Sequence, residues 1–244
     1  MFYELRNVSK SFGSKQVLSD IDLEITRGET TVVLGGSGAG KSVLLKLLIG
    51  LIQPDTGEIL FEGQDIGHLK ESQYYAVRKR VSYLFQGGAL FDSMNVLQNL
   101  AYPLLAHSAL SDEEIRERAR ESLEMVELEN VEHMFPVDLS GGMMKRVALA
   151  RAIINHPEMI LYDEPTTGLD PLTTRTINKL IRKLQRELKV TSVVVTHDMS
   201  TADFVADKLS FLHQGEFAFS GRIEEARASD HPLLRAYFWG GHHE

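Results

Sequence analysis

The chain has 244 residues, 43% of them hydrophobic and 25% charged, which is ample for a buried core and excludes a disordered or low-complexity protein. It contains no cysteine, so disulfides, thiolate zinc sites, iron–sulfur clusters and a thiol nucleophile are excluded. With 26 Lys+Arg against 34 Asp+Glu the net charge is −8, which argues against a nucleic-acid surface, and no nucleic-acid partner is expected.

The N-terminal MFYELRNVSK has no apolar h-region, so no signal peptide is expected. Ile21–Ile25 alternates apolar and polar residues, as does Ile59–Glu62, and both predict half-exposed strands. Thr31–Leu34, Met159–Tyr162 and Ser192–Thr196 are short, mostly apolar runs that predict strands buried on both faces, as in a parallel sheet covered by helices. Lys41–Leu51 reads as a helix stopped by Gln53-Pro54-Asp55. Its apolar run, Val43–Ile52, is far shorter than the ~20 residues of a membrane span and contains Lys46. Between 111 and 133 nine acidic residues face three basic ones, Arg116, Arg118 and Arg120. There Ser111 and Glu114 form a capping box, and Ile115, Ala119, Leu123 and Val126 form one apolar stripe, which predicts a solvated helix. Asp170-Pro171 is a cap followed by a first turn, and Ile177, Leu180, Ile181, Leu184 and Leu188 keep the helical spacing behind it. Strands thus alternate with helices, the pattern of an α/β protein.

Gly35-Gly36-Ser37-Gly38-Ala39-Gly40-Lys41-Ser42 is G-x-x-x-x-G-K-[ST], after an apolar strand and before a helix. Glycines let backbone N–H groups turn inward around phosphate oxygens, Lys41 supplies a full positive charge, and the Ser42 hydroxyl suits Mg²⁺. The pattern predicts a nucleoside triphosphate site. Met159-Ile160-Leu161-Tyr162-Asp163-Glu164 then ends a buried strand in two carboxylates. Asp163 is suited to hold Mg²⁺ and Glu164 to orient or deprotonate an attacking water, which favours hydrolysis over transfer by a P-loop kinase. Ser140-Gly141-Gly142, at the start of a helix, is a second anion cradle outside the first.

Leu139-Ser140-Gly141-Gly142-Met143, with Lys145-Arg146 behind it, resembles the signature of the nucleotide-binding subunits of ABC transporters, and the resemblance spans essentially the whole chain. It implies a P-loop NTPase (RecA-like) core with a mainly parallel sheet, an N-terminal antiparallel β subdomain and an inserted α-helical subdomain. On this reading 1–86 and 158–228 form the catalytic core, 87–157 the helical subdomain with the signature, and 229–244 a short tail. It implies ATP and Mg²⁺ as ligands, with Val43 joining the phosphate loop, Phe12 stacking on adenine and Gln86 touching Mg²⁺ and water. Gly168-Leu169-Asp170 is the matching D-loop and His197 the switch histidine. Two chains would pair head to tail, each signature capping the γ-phosphate held by its partner. Several of these residues have a plainer role open to them: Phe12 as core, Asp170 as a helix cap, His197 as a structural strand end. His213, His231, His242 and His243 have no metal-ligand companions in the sequence and receive no role. The usual signature has Gln where Met143 stands, so local hydrogen bonding is expected to differ while hydrolysis survives.

The stretch from Phe85 to Val96, continuing from Asn99 to Leu104, resembles the ATPases of Mla-type phospholipid-transport systems, as does Arg78-Lys79-Arg80 upstream. That resemblance implies a homodimeric permease, an MCE-domain lipid-binding protein and, in some members, a small STAS-domain subunit, with the chain at the cytoplasmic face of the inner membrane. The chain is expected to lack the longer tail that some relatives wrap around the second subunit. The apolar residues of Gln86–Tyr102 suit either a groove for a permease coupling helix or ordinary core of the helical subdomain. The alternatives are an ABC importer for a polar solute such as an amino acid, and a soluble ABC ATPase acting on DNA or ribosomes. The latter is disfavoured by one P-loop and no heptads.

Overall fold

A computed structural model describes residues 1–105 and 110–239. In chain order its first half runs β1 (Tyr3–Phe12), β2 (Lys15–Ile25), β3 (Thr30–Leu34), α1 (Lys41–Leu48), β4 (Thr56–Phe61), β5 (Gln64–Asp65), α2 (Glu71–Arg80), β6 (Val81–Leu84) and α3 (Val96–Leu105). The second half runs α4 (Asp112–Met125), α5 (Gly141–Ile153), β7 (Met159–Asp163), α6 (Pro171–Leu188), β8 (Thr191–Thr196), α7 (Met199–Val205), β9 (Lys208–His213), β10 (Glu216–Arg222), α8 (Ile223–Ala228) and α9 (Pro232–Trp239). His242 and His243, at the end of the tail, lie outside the described residues.

Two sheets form. The smaller is antiparallel, in the order β2-β1-β4-β5; the larger has the order β10-β9-β3-β8-β7-β6, and only β10 runs against its neighbour. Every residue of β3, β7 and β8 is buried, as their continuous apolar runs require. Side chains alternate across these strands, so the sheet divides the interior. Val33, Leu161, Val193 and Val195 pack with α1 and the antiparallel sheet, whereas Val32, Ile160, Tyr162 and Val194 pack with α3 to α7. The mainly parallel core, the antiparallel β unit and the helical layer of α3–α5 agree with the α/β P-loop fold read from the sequence. Among the described residues no helix is long and apolar enough to cross a membrane.

Local signals act as their chemistry dictates. Ser111 Oγ accepts from Glu114 N at 3.3 Å and the Glu114 carboxylate accepts from Ser111 N at 2.8 Å, closing the capping box that starts α4. Asp170 caps α6 by accepting from Leu172 N and Thr173 N. The first helix ends earlier than the expected Leu51. Gly50 takes φ +63°, its N–H donates to Leu47 O and that of Leu51 to Lys46 O, the paired bonds of a Schellman stop. A side chain at Gly50 would place Cβ 2.1 Å from the Tyr74 ring, so packing and turn both demand glycine there.

Candidate nucleotide site

The phosphate loop joins β3 to α1 and folds tightly because it has no side chains where the backbone approaches its neighbours. A Cβ on Gly35 would lie 2.5 Å from Leu212 O, and one on Gly40 2.9 Å from Leu18 Cδ2. Gly40 also takes φ +106° and Gly38 φ +75°. The loop opens onto a cavity of about 510 Å³ lined by Ser37, Gly38, Gly40, Lys41, Ser42, Val43, Gln86, Glu164 and His197 from the residues predicted above. Lys15, Val17 and Thr167 complete the lining. Gly35, Gly36, Ala39 and Asp163 are not among the cavity's lining residues. Phe12 ends β1, pairs in register with Lys15 and is 49% exposed, with the Lys10 ammonium 5.6 Å from its ring centroid.

Lys41 and Glu164 are both buried and face each other at 3.1 Å (Nζ to Oε1). Lys41 Nζ also donates to Gly35 O at 2.8 Å and Gly36 O at 2.9 Å, which fixes the charge at the mouth of the loop. Glu164 Oε2 lies 2.9 Å from His197 Nδ1 and accepts from Thr167 Oγ1 at 3.2 Å. Burial pushes the Glu164 carboxyl up, but hydrogen bonds from His197 and Lys41 outweigh it and hold the group below the ordinary glutamate range. Glu164 is therefore an ionised acceptor aimed into the cavity. Its backbone has φ +49°, an uncommon conformation that turns the side chain out of β7 beside the end of β8.

Asp163 is held from two sides. Ser42 Oγ donates to Oδ1 at 2.8 Å and Tyr83 Oη donates to Oδ2 at 2.8 Å. The hydroxyl, the carboxylate and the nearby Gln86 amide form a hard-oxygen set beside the phosphate loop, which fits Mg²⁺. Tyr83 was not foreseen. It belongs to β6, whose parallel register sets Tyr83 opposite Leu161, two residues before Asp163 and on the same face. Burial first, and then the contact with Asp163, push the Tyr83 phenol up, so it remains a donor.

Ser140, Gly141, Gly142 and Asp170 do not reach this cavity. They line a separate one of about 420 Å³, together with Gly168 and Leu169. Ser140 Oγ accepts from Met143 N at 3.3 Å and so caps α5. A Cβ on Gly142 would come within 2.7 Å of Thr173 Cγ2, so the glycine lets α5 and α6 start side by side. Met143, in place of the usual Gln, packs its side chain against the helical core.

A P-loop on a parallel sheet, a strand-end carboxylate pair and a second Ser-Gly-Gly cradle define an ATP-binding cassette. The chain belongs to the ABC transporter family, whose sequence profile matches residues 18–167. It is an ATP-binding, ATP-hydrolysing cassette of that family. Among its relatives, the intermembrane phospholipid transport system ATP-binding protein MlaF of Escherichia coli K12 is 41% identical over 97% of this chain and 88% of its own length. The Mycobacterium leprae protein named "probable ribonucleotide transport ATP-binding protein mkl" is also 41% identical over 97% of this chain, which spans 68% of that protein. The dimeric structure of MJ0796, a bacterial ABC transporter cassette, superposes with a TM-score of 0.83 at 35% identity, covering 91% of this chain and 98% of that one. The structure of cbiO1 from Clostridium perfringens, part of the complex cbiONQ, superposes with a TM-score of 0.86 at 28% identity over 98% and 95%.

Proposed function

We propose that this cassette works as a homodimer that hydrolyses ATP to drive a membrane permease, and that its cargo is phospholipid moved between membranes. One observation carries the hydrolytic reading: an ionised Glu164 held between Lys41 and His197 at 3.1 and 2.9 Å, at the mouth of the phosphate loop. The loop N–H groups of residues 35–42 and the Lys41 ammonium bind the phosphates, Val43 closes the loop, and Phe12 offers a ring to the adenine. Ser42, Gln86 and Asp163 would hold Mg²⁺, which when bound neutralises charge on the β- and γ-phosphates. Glu164 accepts a proton from water as its oxygen attacks the γ-phosphorus, the bond to the β-phosphate oxygen breaks, and ADP and phosphate leave. His197 holds Glu164 in place and, lining the same cavity, would contact the γ-phosphate. The separation of the signature cavity from the phosphate cavity supports pairing: Ser140, Gly141 and Gly142 would cap the phosphate bound by the partner, with Asp170 at the D-loop seam.

The lipid reading rests on similarity to MlaF along nearly the whole chain. It is supported by an exposed apolar surface at the start of the helical unit, where Phe91 and Tyr102 meet at 4.9 Å and Leu105 is 66% exposed. A permease helix docked there would place the chain at the cytoplasmic face of the inner membrane. Similarity also supports an MCE-domain lipid-binding protein, and a small STAS-domain subunit, as further partners. The mycobacterial name supports a second reading, a polar cargo such as a nucleotide. Purified with its permease, the complex is expected to contain phospholipid and to change its ATPase rate with added lipid. A rate that responds to nucleotides or amino acids and not to lipid would overturn the lipid reading and leave the ATPase.

A further inference from the structure

Helix α5 carries a buried lysine and a half-buried arginine that the site described above does not use. Lys145, 8% exposed, donates from Nζ to the main-chain oxygen of Gln86. Arg151 donates from Nη2 to Gly88 O at 2.7 Å, and its Nη1 lies 3.4 Å from Asn99 Oδ1. Between them Gly88, at φ +77°, comes so close to α5 that a Cβ would sit 3.2 Å from Ala148 Cβ. Among the described residues neither cation has a carboxylate within ion-pair distance. Burial draws both below their ordinary pKa, and for Lys145 the nearby Glu164 charge opposes the fall.

The other end of the loop is also held from the helical side. Asn99, fully buried on α3, accepts from Phe91 N at 2.8 Å and donates to Phe91 O and Met94 O at 3.1 and 3.0 Å. Apart from the local turn bonds Gly88 N to Phe85 O and Met94 N to Phe91 O, the hydrogen bonds that leave residues 86–91 run to α3 and α5. Among the described residues none runs to β3, β7 or β8, which carry the phosphate loop, Asp163 and His197. A loop with so few bonds of its own would open easily, and charge-assisted bonds to its carbonyls are the strongest means of tethering it.

We propose that Lys145 and Arg151 are positioning residues that clip the Gln86 loop to the signature helix, so that Gln86 moves with that helix and the chain turns at the end of β6, before Gln86. The signature cavity and Gln86 then belong to one rigid piece. Whatever draws the signature onto an anion sets the distance between Gln86 and the phosphate cavity, and the same movement carries Phe91 and its apolar surface. This rests on the role proposed above for Gln86.

The test uses the full chain under dimer-forming conditions, with steady-state hydrolysis and amide hydrogen exchange on the same samples. Lys145→Met keeps the length of the stem and removes the donor. It is expected to lower kcat about tenfold, leave KM for ATP within about twofold, and speed exchange at residues 87–91 about tenfold, while Lys145→Arg restores all three. In the unaltered chain, protection of residues 87–91 and of α5 should change together when ATP is added; in Lys145→Met they should separate. Arg151→Met should show the same exchange pattern. Gln86→Ala separates the two readings. If it leaves kcat unchanged, the role of Gln86 fails and the exchange data alone decide the clip. If it lowers kcat while Lys145→Met and Arg151→Met leave loop exchange as in the unaltered chain, the clip is overturned.

Discussion

Replacing Tyr83 with Phe removes one oxygen from the wall of the proposed metal site and keeps the ring that lies 4.3 Å from that of Phe85. The lost bond, 2.8 Å to Asp163 Oδ2, is a hydrogen bond to an acid that is only 7% exposed. Ser42 already occupies the other oxygen, so Oδ2 is left without its donor. A hydrogen bond to a charged group contributes about 1.5–3 kcal/mol, and about 2 kcal/mol fits a partly buried donor. For a chain of this size that lowers Tm by about 4–8 °C. Scanning calorimetry of Tyr83→Phe against the unaltered chain measures it directly. Asp163 would also turn more freely, so the gain in nucleotide affinity on adding Mg²⁺ should shrink, as read by titration with and without the metal. A melting point within about 1 °C of the unaltered chain, together with an unchanged Mg²⁺ effect, would refute the assignment of Tyr83 as the group that orients Asp163.

Three further outcomes are expected. Glu164→Gln cannot accept a proton, so hydrolysis should fall about 10²–10⁴-fold while ATP binding persists through Lys41, and an ATP-dependent dimer should accumulate in light scattering. Glu158 is held at about 2, against an ordinary 4.5, by hydrogen bonds from Arg80 and then Arg27 that outweigh its burial. Its folded pKa is depressed, so its contribution is complete above about pH 5 and is lost as pH falls toward 2. The side chain is 37% exposed, so solvent screening reduces that contribution to about 1 kcal/mol, and Glu158→Gln should flatten the acid limb of the stability curve by that amount. Gly142→Ala should cost about 1–3 kcal/mol by pressing on Thr173 Cγ2, and adding Thr173→Ser, which removes that methyl, should recover most of the melting point.

The parts of the site that could be read in the sequence are those whose chemistry is local. The P-loop announces itself because glycines, Lys41 and Ser42 must follow one another along one turn, and Asp163-Glu164 because both sit at the end of one apolar strand. The caps at Ser111 and Asp170 were legible for the same reason. Tyr83 was not: its partner lies 80 residues away, and only the parallel register of β6 on β7 brings them together. Lys145 reads as one more charge behind the signature until the fold sets Gln86 above it. The early stop of the first helix was hidden in Gly50, whose need for glycine comes from Tyr74 as much as from the turn. Met143 marked a departure from the usual signature, but that its side chain turns toward the helical core is a fact of packing.

On the proposed pairing, the separate phosphate and signature cavities of each chain are half-sites of different composite sites, and this has a consequence for mixed populations of molecules. When a working pair needs the phosphate loop of one copy and the signature of the other, a defective chain spoils sites to which sound chains also contribute. If half of the chains in a cell carried an inactivating change at Glu164, only about one pair in four would keep both sites intact under random pairing. Such a defect would then lower activity in pairs that also contain a sound chain. A chain damaged at Lys41 and another damaged at Ser140 could instead rescue each other, since their union leaves one undamaged half-site of each kind pointing at the other.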